Sequence, residues 1–226
     1  MNKFWNFVKN EEGKRQLFFS GVIAEESWYD DDITPNIFKE ELFSDTGDIE
    51  IWLNSPGGDC IAASRIYAML MDYKGDITIK IDGIAASAAS VIAMAGTSVQ
   101  MAPTALMMIH NPFTVAIGDS EEMKKTIDML SEVKESIINA YEIKTGLNRN
   151  DISRLMDAET WMNSNKAIEM GFADLVMEDG KRKNIASNFV FSRRGVSNSL
   201  LQKMKVRNAD RTNIETLKKR LNLLRR

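Results

Sequence analysis

Segments with strand and helix patterns alternate through the middle of this 226-residue chain, and that alternation constrains its fold more than any other feature. The strand segments are short and largely apolar, whereas the segments between them carry apolar residues at helical spacing. Strand–helix–strand units in succession form a parallel sheet with right-handed crossovers, so the pattern predicts an α/β fold. Predicted strands cover residues 16–23, 48–55, 76–83, 98–103 and 105–112, and predicted helices cover residues 60–75 and 88–96.

A long helix is predicted over residues 118–146, where Asp119 or Ser120 can cap the first turn. Apolar side chains at helical spacing along this segment are typical of a helix that packs one face against a core. Two further helices and a final strand are predicted between residues 148 and 178. The apolar stripe of the long helix consists of Met123, Ile127, Leu130, Ile137 and Tyr141.

The net charge of −3 conceals two regions of opposite charge. Residues 1–180 contain 15 basic and 30 acidic side chains, whereas residues 181–226 contain 14 basic and 2 acidic ones. We therefore predict an N-terminal segment (1–15), a folded domain (16–180) and a basic C-terminal extension (181–226) that is partly helical or disordered.

Several classes of protein are not expected from this composition. The single cysteine, Cys60, allows no internal disulfide, and no metal-ligand cluster is present, so we expect no metal and no cofactor. The longest apolar runs are shorter than the roughly 20 residues that span a bilayer, and residues 1–16 lack the features of a signal peptide. These features predict a cytoplasmic protein with no membrane partner.

Small residues follow the strand at 76–83 in an unusual concentration. Seven of the eight residues from 83 to 90 are glycine, alanine or serine. Small side chains let a backbone turn sharply and let a ligand approach it, although they also permit simple close packing of a helix. If Ser87 lies at the turn and a helix begins at Ala88, free backbone N–H groups lie beside the Ser87 hydroxyl and can stabilise an oxyanion.

A serine nucleophile needs a base, and His110 is the one histidine of the chain. It ends a predicted strand, and the ends of neighbouring strands in an open α/β sheet line one crevice. A third group must orient the imidazole, and the downstream candidates are Asp157, Glu159 and Asp174. Two glycines in LNSPGG, at a strand-to-helix junction, can present further backbone N–H groups.

Three motifs, LNSPGG, GIAASAAS and MMIHNP, resemble in order and spacing the segments of the ClpP serine peptidases around the oxyanion glycines, nucleophile and histidine. The resemblance extends from about Leu17 to Val176. It implies a ClpP/crotonase-like fold of stacked β-α-β units, with a protruding "handle" helix over residues 119–145. It also implies homo-oligomeric rings that enclose the sites and admit unfolded or extended protein substrates.

The resemblance assigns roles residue by residue. It makes Ser87 the nucleophile, His110 the general base and Ser90 a packing residue. Glu159 stands where cellular ClpP has an aspartate, and Asp157 is the alternative. The implied oxyanion hole is formed by the backbone N–H groups of Gly57 or Gly58 and of Ala88.

The segment ETWM and the basic extension resemble the ClpP-related head maturation proteases of tailed bacteriophages, which trim scaffold and capsid proteins inside a prohead. In that setting the extension binds acidic scaffold or contacts DNA electrostatically, without sequence-specific recognition. The alternative is the proteolytic subunit of an ATP-dependent Clp protease, whose ATPase is a partner because this chain has no phosphate-binding Gly-Lys-Ser/Thr loop. Two further alternatives are an acyl-CoA hydratase or isomerase, which shares this layered fold, and an inactive assembly protein that uses the fold to form a ring.

Overall fold

The structure is a computed structural model that describes residues 7–9, 15–23 and 35–177. The basic extension predicted at 181–226 lies outside the described residues, so its boundary and conformation stay predictions. Across the described part of the chain, no helix combines the length and apolar character needed to cross a membrane.

The described residues form one eight-stranded sheet that is mostly parallel, as the alternating pattern predicts. The strand order is β1-β2-β3-β4-β5-β8, and β6 pairs with both β4 and β7. The β1–β2 and β6–β7 pairs are antiparallel, and the other pairs are parallel. The strands are β1 (Phe7–Lys9), β2 (Arg15–Ser20), β3 (Ile49–Ser55), β4 (Ile77–Ala86), β5 (Ser98–Met101), β6 (Leu106–Ile109), β7 (Thr160–Asn163) and β8 (Leu175–Val176).

Six helices connect these strands within the described residues. In β3 the residues Ile49, Ile51 and Leu53 are fully buried, whereas the residues between them are half-buried. This alternation directs one face of the sheet into the apolar core. Burial of each such side chain stabilises the fold by about 1.5–3 kcal/mol. The helices are α1 (Pro35–Leu42), α2 (Cys60–Met71), α3 (Ala88–Ala93), α4 (Ser120–Thr145), α5 (Arg149–Asp157) and α6 (Ser164–Glu169).

Strand β4 is longer than predicted because Gly83, expected to end it, lies within a bulge instead. The register moves from Leu53↔Ile81 to Ser55↔Ala85, so β4 contains two more residues than β3 over this interval. A Cβ atom on Gly83 would lie 2.6 Å from Asn54 Oδ1, which also accepts a hydrogen bond from the Ile84 N–H. The bulge extends β4 to Ala86, where its end pairs with β6.

The predicted long helix is α4, and Asp119 caps it through a capping box with Glu122. Only its C-terminal part is packed as the apolar stripe predicts, since Ile137 and Tyr141 are buried. Ile127 is 63% exposed, so the N-terminal part of the helix projects from the domain.

Three described elements were absent from the sequence prediction, namely β1, α1 and β7. The first two lie in or beside segments whose hydrophobic pattern is irregular, and β7 is a four-residue strand with alternate exposed residues. Helix α2 also ends at Met71 rather than continuing to Gly75, and the Tyr73 N–H donates to the Leu70 carbonyl in a tighter i→i−3 turn at this end.

Candidate active site

Ser87 occupies a tight turn between the end of β4 and the start of α3. Its backbone has φ 56° and ψ −127°, a conformation that costs a non-glycine residue about 1–3 kcal/mol. The Ser87 N–H donates to the Met108 carbonyl at 2.9 Å, which ties the turn to the neighbouring strand β6. The small residues Ala85 and Ala86 are fully buried before the turn, so the strand packs closely up to the serine.

His110 lies beside Ser87 because their strands are parallel neighbours. Ala86 pairs with Met108, and each strand ends shortly after this pair, at the same edge of the sheet. His110 Nε2 is 2.7 Å from Ser87 Oγ, a hydrogen-bonding distance. The Phe113 ring contacts the imidazole edge-on, with 5.7 Å between ring centroids. The proximity expected from the sequence is therefore present.

The register of β6 and β7 places the backbone of Glu159 across from that of His110. Ile109 pairs with Thr160 at the end of this antiparallel ladder, so His110 and Glu159 lie one residue beyond the last pair, just outside the two strands. Glu159 has φ 49°, and within the described residues Ser87 and Glu159 are the two non-glycine residues with positive φ. Such conformations persist where the surrounding structure requires them and are enriched at functional sites.

The other two acidic candidates have different partners. Asp157 Oδ1 accepts hydrogen bonds from Lys134 Nζ at 2.7 Å and Asn111 Nδ2 at 2.8 Å. These two donors hold the pKa of Asp157 below its ordinary value. Asp174 Oδ2 accepts from the Val99 N–H and from Lys144 Nζ, at the β5–β8 side of the sheet. Asp174 is thus part of a structural ion pair with Lys144, and Asp157 pairs with Lys134 and holds the Asn111 side chain by a hydrogen bond.

The glycines of LNSPGG pack directly against the serine turn. A Cβ atom on Gly57 would lie 2.6 Å from the Ala86 carbonyl oxygen, 2.8 Å from Ser87 Cβ and 2.9 Å from Ala88 N. The Gly57 N–H donates to Ser55 Oγ at 3.1 Å, whereas the Gly58 N–H has no acceptor among the described residues. Of the two glycines, Gly58 therefore has the N–H available to a ligand.

We expect Gly57→Ala to slow reaction of Ser87 with a fluorophosphonate about 100-fold, because the added methyl displaces the serine turn and the donor beside it. It should also lower the free energy of unfolding by about 1–3 kcal/mol more than Gly47→Ala does. Gly47 is a matched control, since its φ of +101° resembles the +95° of Gly57 but no atom lies within 4 Å of its added Cβ. Denaturant unfolding and labelling rates measure both effects. Equal effects of the two substitutions would contradict the close packing.

Cys60 lies near the same junction but is unsuited to act as a nucleophile. Burial, with a smaller contribution from the adjacent Asp59 carboxylate, raises the pKa of its thiol from 9.0 to about 11. The thiol therefore stays protonated near neutral pH, where only a thiolate is an effective nucleophile.

Sequence reasoning missed the polar contacts that surround Ser87. Ser90, expected to be a packing residue, donates from Oγ to the Ser87 carbonyl at 2.6 Å and also bonds the Tyr141 hydroxyl at 2.8 Å. A buried tyrosine in an otherwise apolar stripe is a signal for such a partner, because its hydroxyl needs a hydrogen bond.

Comparison with known proteins agrees with this geometry. The family model described as "Clp protease" matches residues 7–180. The chain belongs to the Clp protease family. It is thus a peptidase of the Clp type, and the match covers every described residue of the sheet and its helices.

Three relatives illustrate the similarity. The "ATP-dependent Clp protease proteolytic subunit" of Porphyromonas gingivalis is 30% identical over 159 residues, which cover 67% of this chain and 72% of the relative. The protein of that name from Ligilactobacillus salivarius is 29% identical over 173 residues, or 74% and 88% of the two chains. "ATP-dependent Clp protease proteolytic subunit 1" of Chlamydia muridarum is 28% identical over 167 residues, or 72% and 86%.

Proposed function

We propose that this peptidase is a serine endopeptidase in which Ser87 is the nucleophile, His110 the general base and Glu159 the group that orients the imidazole. The observation that carries the proposal is the 2.7 Å separation of His110 Nε2 and Ser87 Oγ. The positive φ of both Ser87 and Glu159 supports it, since such backbone conformations are costly and cluster at functional sites.

In this mechanism Ser87 Oγ attacks the carbonyl carbon of a peptide bond while its proton passes to His110 Nε2. The oxyanion of the tetrahedral intermediate accepts hydrogen bonds from the Gly58 and Ala88 N–H groups. The intermediate collapses as the C–N bond breaks, and the leaving amine takes the proton from His110. Water then attacks the acyl ester, its proton passes through His110 to Ser87 Oγ, and the new carboxylic acid departs.

We further propose that the chain works as a homo-oligomeric ring built through the projecting part of α4. Apolar residues of this helix and of the segment before it are exposed in the single chain, and contact with a second subunit would bury them. They include Ile117 (83% exposed), Ile127 (63%) and Met129 (49%). The curated relatives described above are named as subunits, which agrees with an assembled form.

For the biological substrate we propose scaffold and capsid proteins of a tailed bacteriophage. The support is the strongly basic segment 181–226, which has 14 basic and 2 acidic residues and suits an acidic protein partner. The second candidate is degradation of unfolded proteins with a separate ATPase, which is supported by the names of the relatives, ATP-dependent Clp protease proteolytic subunits.

The test incubates the assembled protein with capsid and scaffold proteins from the same genome and, in parallel, with casein. Each reaction is run with and without ATP and a Clp-type ATPase. We expect discrete, ATP-independent cleavage of a scaffold or capsid protein. Cleavage of casein that requires the ATPase, with no capsid or scaffold product, would favour the second candidate.

A fluorophosphonate probe tests the chemistry separately from the substrate. We expect it to modify Ser87, as located by peptide mass spectrometry. An unmodified chain that also leaves all protein substrates intact would contradict the peptidase mechanism and indicate an assembly role for the fold.

A further inference from the structure

A buried hydrogen-bonded chain connects the long helix α4 to the backbone of Ser87. It begins at the Tyr141 hydroxyl, passes through Ser90 Oγ and ends at the Ser87 carbonyl oxygen. Ser90 and Tyr141 are both almost fully buried, at 0% and 1% exposure. The Tyr141 ring is held edge-on against Phe172, with 5.5 Å between ring centroids.

The direction of the hydrogen bonds in this chain follows from proton counting. A serine hydroxyl has a single hydrogen, and Ser90 gives it to the Ser87 carbonyl. The Tyr141 hydroxyl must therefore donate to Ser90 Oγ, and this donation polarises the Ser90 hydroxyl and strengthens its own bond. Burial raises the pKa of Tyr141 far above its usual range, so the phenol keeps its proton.

The Ser87 carbonyl belongs to the same peptide group as the Ala88 N–H. Because a trans peptide is planar, the carbonyl and the N–H point in opposite directions and rotate together. Two donors hold the carbonyl, namely the Ser90 N–H at 2.9 Å and Ser90 Oγ at 2.6 Å. Loss of either hydrogen bond would therefore let the peptide group rotate, and the Ala88 N–H would rotate with it.

We propose that Ser90 and Tyr141 are positioning residues that orient the 87–88 peptide group for catalysis. They hold the Ala88 N–H toward the oxyanion of the intermediate and keep Ser87 in its strained conformation. This inference rests on the proposed function, because it needs Ser87 to be the nucleophile. It gives Ser90 a role beyond packing.

Other hydroxyls on helices show why this arrangement differs from ordinary helix bonding. Ser64 Oγ donates to the Cys60 carbonyl, a common bond of helical serines with no link to Ser87. The Tyr67 hydroxyl is buried and has no hydrogen-bond partner within the described residues. Ser64→Ala and Tyr67→Phe are therefore matched controls that remove the same atoms without touching the peptide at 87–88.

The experiment measures the rate at which a fluorophosphonate modifies Ser87 in the full-length assembled protein. We expect Tyr141→Phe to slow labelling about tenfold, the effect of losing one hydrogen bond, and Ser90→Ala to slow it about 30-fold. The double variant should be labelled at most about threefold more slowly than Ser90→Ala, because Tyr141 acts through Ser90. Ser64→Ala and Tyr67→Phe should label at the wild-type rate.

Two further readouts separate positioning from a general loss of structure. With a fluorogenic peptide amide as the probe substrate, kcat should fall while KM stays constant, since the oxyanion forms only after binding. The pH midpoint of labelling, which reports on the base, should stay unchanged. A wild-type labelling rate in Tyr141→Phe, an equal loss in Tyr67→Phe or a shifted pH midpoint would each overturn the inference. Absence of labelling in the wild-type chain would instead overturn the proposed function.

Discussion

Ser87→Ala is expected to lower peptide turnover by about 10⁶-fold while the protein remains folded. The variant loses the hydroxyl that we propose as the nucleophile, which lies 2.7 Å from His110 Nε2. The residual rate should come from the oxyanion donors and from substrate binding alone. The measurement is the hydrolysis rate of a fluorogenic peptide amide, with the thermal midpoint recorded on the same samples.

The control for this result is Ser64→Ala, which removes a helix hydroxyl that donates to the Cys60 carbonyl. It should retain wild-type turnover. Undiminished hydrolysis by Ser87→Ala would show that the nucleophile is elsewhere, whatever the geometry around His110.

Glu159→Gln is expected to lower turnover by about 10⁴-fold. In the proposed triad, the amide would remove the negative charge that stabilises the imidazolium form of His110. The amide of glutamine can also donate a hydrogen bond to Nδ1, which then carries no proton. The imidazole proton is therefore on Nε2, and Nε2 cannot accept the proton of Ser87. We choose Glu159 because it lies across from His110, one residue beyond the Ile109↔Thr160 pair.

Asp157→Asn is the matched comparison, because it makes the same chemical change two residues earlier. Its carboxylate is 56% exposed and pairs with Lys134, and such exposed pairs contribute at most about 1 kcal/mol. Turnover should therefore stay within about fivefold of wild type. A larger loss in Asp157→Asn than in Glu159→Gln would exchange the roles of the two residues.

Local sequence chemistry was sufficient to predict the position of the serine turn. An alternating strand, a run of seven small residues in eight and an apolar helix predicted a turn at this point, and α3 begins at Ala88 as expected. The proximity of His110 was also predictable, because parallel neighbouring strands end at the same edge of a sheet.

The features that were missed depend on contacts between distant parts of the chain. Ser90 and Tyr141 are 51 residues apart, and neither side chain has a local pattern that identifies the other. Strand β7 was missed because its four residues acquire strand geometry only by pairing with β6. The bulge in β4 was missed for the same reason. In the sequence Gly83 resembles the end of a strand, and its place in the bulge depends on the close approach of the Asn54 side chain.

The positive φ of Ser87 has a consequence for evolution and for engineering of this protein. Glycine adopts that conformation without strain, so the substitution that most easily stabilises this turn also removes the hydroxyl that we propose as the nucleophile. If Ser87 is the nucleophile, selection for stability alone would favour glycine at position 87 and an inactive protein, whereas selection for peptide-bond cleavage would retain serine.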